Sequence, residues 1–356
     1  VRITLPGEDF IVSDFREEMA ATQVEWRRHS LFNQEPGKHA NSELDYMLPA
    51  NAWELNLWYW INSGSPNSLP DYLKERGIPK PNNSHHLLSS WVFCASLYFP
   101  FRDAQGRELL KVFLQEKISP KIERVDRVEM KFQADKDDLR PRQLLGEDGA
   151  RKGSGVTAPD LAFLVDTAYG PGVILVECTF AEESFNPCYG RIKHAYFRPT
   201  NPKPERCLDI QSIVDDPGEK CHLEACDRHY WAQLTQAVDE DAISRLSSCP
   251  AAYHGFKLFR QQALAEGLAM NGDYALVALA LAYDRRNESL LASLSHSTGI
   301  ENVVDEWGKL FSKGKAHFAA FTHQDWVEHV RSHDLGHLWS DWLRYVEDRY
   351  DLMDGG

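Results

Sequence analysis

Asp160 opens a short apolar run, Leu161-Ala-Phe-Leu-Val165, and Glu177 closes a second, Val173-Ile-Leu-Val176. Tyr169-Gly-Pro-Gly172 between them reads as a turn. If the two runs are strands paired antiparallel across that turn, the two carboxylates lie side by side. Carboxylates so placed repel unless they share a cation. Hard ions such as Mg²⁺ take carboxylate and carbonyl oxygens, water and substrate phosphates. Such an ion activates water and stabilises the charge developing on a scissile phosphate. Cys178 offers its backbone carbonyl, because its thiol is too soft to prefer Mg²⁺. Strand-end Asp and Glu are also common as solvated caps. The pair gains meaning from its arrangement, with Pro159-Asp160 opening one strand and Glu177-Cys-Thr179 closing the next.

The surrounding elements must hold those strand ends together. Asp14–Arg28 reads as a polar helix, and Ser42–Trp60 mixes aromatics and Leu in a helical pattern with Pro49 at a first turn. Ser84–Phe99 and Glu108–Ile118 read as further buried or amphipathic helices. Val125-Asp-Arg-Val-Glu-Met-Lys-Phe132 alternates apolar and charged residues, as a half-buried strand does. After the carboxylate hairpin comes an insertion, residues 180–229, rich in Pro, Cys and basic residues. Tyr230–Leu246 and Tyr253–Met270 read as helices, Tyr274–Tyr283 as a core strand, and Gln324–Tyr350 as helical and aromatic. The expected order is helices, three strands, helix, strand, helix.

Ala158-Pro-Asp160 followed by Ile174-Leu-Val-Glu-Cys-Thr179 resembles the PD-(D/E)XK motif of restriction-endonuclease-like nucleases, in their RecB-like branch. The resemblance implies an α/β fold with a core of helix, three strands, helix and strand, here with added N- and C-terminal helices. It divides the chain into an extension at 1–41, a core at 42–290 carrying the insertion, and a helical extension at 291–356. It also implies a nuclease dependent on Mg²⁺ or Mn²⁺, acting on DNA in preference to RNA. Asp160 and Glu177 would be catalytic metal ligands, aided by the Cys178 carbonyl and by Glu54 from the first core helix. The family's lysine falls at Thr179, which is neutral and can only hydrogen-bond a water. Lys257 stands near where relatives place a glutamine on the following helix, so it is the candidate replacement; Gln261 or Gln262 could touch the metal shell or DNA. Each of these also has a plain reading as a helix-surface residue. The missing lysine supports a second expectation, an impaired nuclease-like module that binds nucleic acid or a protein.

Other constellations compete. Arg191, Lys193 and Arg198 interleave with Tyr189, Tyr196 and Phe197, and Arg151 and Lys152 precede Asp160. Cations neutralise phosphates while rings stack on bases, so these five are candidate nucleic-acid contacts. Cys207, Cys221, Cys226 and Cys249 invite a structural metal, but the closest spacing is wider than a zinc knuckle. Ordinary reduced cysteines are favoured. Ser332-His-Asp-Leu-Gly-His337 resembles the His-Asp pair of HD-type phosphohydrolases, yet few residues follow it to complete that site. A helix start capped by Ser332 or Asp334 is the simpler account.

Composition sets the outer bounds. The chain has 356 residues and a formal net charge of −14, which argues against binding nucleic acid over its whole surface but permits a local basic groove. It shows no apolar run of about 20 residues that could span a bilayer. Seven cysteines without a secretion signal fit reduced thiols and a cytoplasmic location, with no membrane partner. The ends, Val1 and Gly355-Gly356, read as a processed or cloned piece and carry no functional weight.

Overall fold

The computed structural model describes residues 14–31, 35–39, 42–147, 156–192 and 200–352. The labelled helices are α1 (Asp14–Ser30), α2 (Leu69–Glu75), α3 (Ser90–Tyr98), α4 (Ala104–Lys117), α5 (Phe256–Asn271), α6 (His323–His333) and α7 (Ser340–Tyr350). The central sheet holds β1 (Ile122–Met130), β2 (Leu161–Thr167), β3 (Gly170–Cys178), β4 (Leu276–Tyr283) and β5 (His317–Thr322) in that spatial order. The first three strands are antiparallel neighbours, whereas β4 and β5 run parallel to β3. This is a mixed α/β fold with a restriction-endonuclease-like core.

Strand alternation sends successive side chains to opposite faces, and each face has its own helical cover. Ile174, Val176, Cys178 and Ala280 pack with α3, α4, α6 and α7. Val173, Leu175, Leu279 and Leu281 pack with α5 and with Trp231 and Trp307. Helix α3, Ser-Trp-Val-Phe-Cys-Ala-Ser-Leu-Tyr, is buried on every side, as an apolar helix under an outer layer must be. Its start is capped by Ser89, whose hydroxyl accepts from the Val92 N–H.

Three expected elements turn out differently. Ser42–Trp60 forms no α-helix. It makes a short strand at Ser42–Leu44 and 3₁₀ turns at Ala50–Asn56 and Tyr59–Ile61. Asn56 donates its amide to the Ser84 and His86 carbonyls, both at 2.9 Å, a tertiary use of a residue that favours turns. Tyr230–Leu246 breaks into Tyr230–Leu234 and Glu240–Ile243, the second begun by the Asp239 carboxylate accepting from the Ala242 N–H. Beyond residue 291 the chain contributes β5 as well as helices, so this segment completes the sheet.

Candidate active site

The antiparallel register pairs Leu161 with Val176, which sets the preceding Asp160 across from the following Glu177. Both side chains are buried, on the sheet face covered by α5. Asp160 carries two ammonium groups: Lys257 Nζ lies 3.1 Å from Oδ2, and Lys131 Nζ lies 2.6 Å from Oδ1. Lys257 also makes a close ion pair with Glu177 Oε1. One turn along α5, Gln261 Nε2 donates to Glu177 Oε2 at 3.2 Å, while Gln261 Oε1 is buried with no protein partner. An i, i+4 spacing puts Lys257 and Gln261 on one face of the helix, so both meet the same carboxylate.

The electrostatics follow from burial set against these cations. Desolvation would push the Asp160 carboxyl up, but Lys131 and Lys257 overcome it and hold it down at about 2. Glu177 sits deeper; burial prevails over Lys257 and pushes its carboxyl up to about 7. Burial opposes the Lys257 charge, yet Asp160 and Glu177 hold its pKa above the ordinary lysine range. Between these two carboxylates Lys257 is held as a cation.

Local structure explains how these groups meet. The residues just after β3 return to the start of α5: the Lys257 N–H donates to the Phe185 carbonyl at 2.7 Å, and the Phe256 N–H to that of Asn186 at 3.0 Å. Gly255, directly before the helix, has the Pro250 carbonyl oxygen 2.1 Å from where a Cβ would stand, so only glycine allows this approach. The segment before Asp160 is anchored by buried Glu147. Its carboxylate accepts from the Thr157 hydroxyl at 2.6 Å and the Tyr230 hydroxyl at 2.7 Å, with Arg260 at 3.5 Å.

The remaining candidates divide. The Cys178 side chain lies on the opposite face, in the core with Cys94, and burial pushes its thiol up. Thr179 is buried and donates its hydroxyl to the Ala282 carbonyl at 3.2 Å; its own carbonyl accepts from His323 Nε2 at 2.7 Å. No bond joins it to the carboxylate pair among the described residues. Glu54 lies on the Ala50–Asn56 turn, where its backbone carbonyl accepts from the Leu57 N–H at 3.0 Å and the Asn62 amide at 3.0 Å. Gln262 turns away from Glu177 and donates to Glu266 at 3.4 Å. Arg191 is held by Tyr253, donating to its hydroxyl at 2.7 Å with the guanidinium over the ring. Arg151, Lys152, Lys193 and Arg198 lie outside the described residues.

Lys131 escaped the sequence reading. It follows β1 with a φ of +52°, unusual for a residue with a side chain, and its N–H donates to the Asp160 carbonyl at 3.2 Å. Its signal was positional: extending the Met130–Leu161 pairing by one residue brings 131 to 160.

Of the competing constellations, Cys249 lies near enough to Cys207, Cys221 and Cys188 for their charges to interact, and burial pushes its thiol up. Cys226 Sγ lies 3.8 Å from His222 Nε2, and the Cys249 N–H donates to the Cys207 carbonyl at 2.8 Å. Asp334 accepts from the Leu338 and Trp339 N–H groups at 3.0 and 2.7 Å, ordering the turn into α7, while Ser332 bonds Glu328. Among the described residues no group of three His, Cys, Asp or Glu side chains could hold a metal ion, and no helix is long and apolar enough to cross a membrane.

The mixed α/β core is that of a restriction-endonuclease-like protein. The family described as Restriction Endonuclease associating with ARP matches residues 19–351, and the chain belongs to it. Comparisons with curated proteins and with solved structures each find no match.

Proposed function

We propose that the protein is a metal-dependent nuclease that hydrolyses phosphodiester bonds, with DNA preferred to RNA. The observation that carries this reading is the buried Asp160–Glu177 pair sharing the Lys257 ammonium. Family membership supports nuclease chemistry in general. The donor set suits Mg²⁺ or Mn²⁺: two carboxylates and the unpartnered Gln261 Oε1 are all hard oxygen donors. The Cys178 carbonyl would add another, its thiol being turned into the core. When bound, the ion would activate water and neutralise charge on the phosphate.

The chain's own residues would do the rest. Lys257, held protonated by the two carboxylates, would hold a phosphate oxygen or orient the attacking water by donating to it. In this way it would take the place of the lysine replaced by Thr179. Lys131 would supply a second positive charge at Asp160. The core at 42–290 would carry this chemistry, completed by the strand from 291–356.

A second reading has its own support. Asp160 and Glu177 are already matched by two lysines, which fits a module that binds nucleic acid or a protein without cutting. The family's description as associating with ARP favours a protein partner. Incubating circular, linear and single-stranded DNA, and RNA, with Mg²⁺ and Mn²⁺ tests both. Cleavage abolished by Asp160→Ala and by Glu177→Ala supports the nuclease. Binding without cleavage under every condition supports the module. Cleavage that survives both changes but is lost on altering His333 or Asp334 would replace both readings with the HD-type chemistry.

A further inference from the structure

The edge strand β1 is bordered by a groove of about 260 Å³, walled by Tyr72 and Arg76 at the end of α2 and by Arg102 and Arg107 around the start of α4. Arg127 of β1 lines it as well, and the carboxylates present are Glu75, Asp126 and Glu129. The four arginines are unevenly neutralised. Arg76 and Arg127 share Glu129, and Arg107 donates to the Asp126 backbone carbonyl at 2.6 Å. Among the described residues Arg102 makes no hydrogen bond or ion pair. The residue is half-buried, with its guanidinium carbon 4.4 Å from the Phe99 ring centre and 4.7 Å from that of Tyr72. Burial pulls its pKa below the ordinary arginine value.

The Arg102 nitrogens are not sealed from water, so their donors are open to an acceptor that enters the groove. A guanidinium set against two rings that are themselves inclined at 65° is restrained in place, which favours the bidentate grip that Arg gives phosphate. The groove has a direction. Tyr72, Arg76 and Glu129 also line an adjoining cavity of about 160 Å³ that reaches Arg140 and Lys131, the residue bonded to Asp160. From Asp126 to Lys131 the chain advances roughly 17 Å at strand spacing, the axial rise of about five nucleotides of one strand.

We propose that this groove binds the sugar-phosphate backbone of a nucleic-acid strand, with Arg102 gripping a phosphate and the path ending at Lys131 beside the carboxylate pair. The proposal rests on the nuclease reading and adds to it where the substrate lies. It places the contact on α2, α4 and β1, away from Arg191. On a chain of net charge −14, such a local surplus of cations selects where a polyanion can land.

Fluorescence anisotropy with short labelled single-stranded DNA, duplex DNA and single-stranded RNA tests it, with Ca²⁺ replacing Mg²⁺ so that binding is read without cleavage. Arg102→Gln should weaken binding by about 5–10-fold and lower the slope of log affinity against log salt by about 0.7–0.9, one phosphate contact, between about 50 and 200 mM salt. Arg102→Lys should keep the slope, and Arg344→Gln, at an exposed arginine outside the groove, should change neither quantity. If Arg102→Gln fails to fold, Arg107→Gln is expected to act in the same direction. Wild-type affinity and slope in both glutamine variants would overturn the groove, and cleavage still lost in Asp160→Ala would leave the nuclease standing. No binding of any of the three probes by the unaltered chain would overturn the groove together with the nucleic-acid reading.

Discussion

Among the places where this molecule buries charge, two are built to different ends. Arg349 is fully buried between α1, α7 and the Ala50–Asn56 turn. Its Nε donates to Gln23 Oε1 at 3.0 Å, and its Nη1 to the Asn56 carbonyl and the Tyr345 hydroxyl, each at 2.7 Å. Its Nη2 donates to Asn56 Oδ1, and its guanidinium lies 3.9 Å from the Trp26 ring centre. All of these partners are neutral, so the cluster is a staple between the two ends of the chain. At Asp160 and Glu177 the partners are charged instead. The lysines there remain 24% and 29% exposed, and a buried amide oxygen lacks a donor. Burial of charge alone does not mark a functional site; the open, unsatisfied side at Asp160 and Glu177 is what supports the nuclease proposal.

The sharpest way to break this comparison is to remove one charge from each cluster. Asp160→Asn is expected to reduce Mg²⁺-dependent DNA cleavage by about 10³-fold or more while circular dichroism shows the fold retained. Arg349→Met should do the reverse. Four acceptors lose a donor at about 1 kcal/mol each, so urea unfolding should show a loss of about 4 kcal/mol, with unchanged cleavage per folded molecule. Cleavage lost in Arg349→Met at full stability would erase the distinction between the two clusters.

A smaller effect concerns the support behind Thr179. His323 is buried between the Thr179 carbonyl and the Tyr98 hydroxyl, and burial lowers its pKa from 6.5 to about 4. Its neutral form is the one the fold holds, so the unfolded chain binds the extra proton. Stability is then complete above pH about 6.5 and falls as pH drops toward about 4, by on the order of 3 kcal/mol. His323→Gln should flatten that slope in acid unfolding curves; a slope equal to wild type would assign the acid loss to another group. Smallest of all, Thr179→Val should cost about 1 kcal/mol for the lost hydroxyl bond and change cleavage by less than about threefold. A loss as deep as that of Asp160→Asn would return Thr179 to the site as the group that orients water.

Much of the candidate site was legible because it is carried by local pattern. The two apolar runs, the Gly-Pro-Gly turn and the strand-end carboxylates lie within twenty residues, and hairpin pairing follows from alternation and turn chemistry. Lys257 was reachable because a helix follows the hairpin and its first turn faces the sheet. Lys131 was hidden for want of a register: β1 is separated from β2 by thirty residues of sequence, and no local signal says which residue ends beside Asp160. Arg102 was hidden for the same reason, since its rings come from Tyr72 and Phe99 on different elements.

By itself the amino-acid sequence determined the α/β class and the carboxylate hairpin, because strand and helix periodicities and turn residues act over a few positions. Tertiary structure alone decided which cations meet the carboxylates, that Thr179 turns its hydroxyl to β4, and that β5 completes the sheet. Those outcomes depend on contacts between residues far apart in the chain, where burial and charge pairing outweigh local preference.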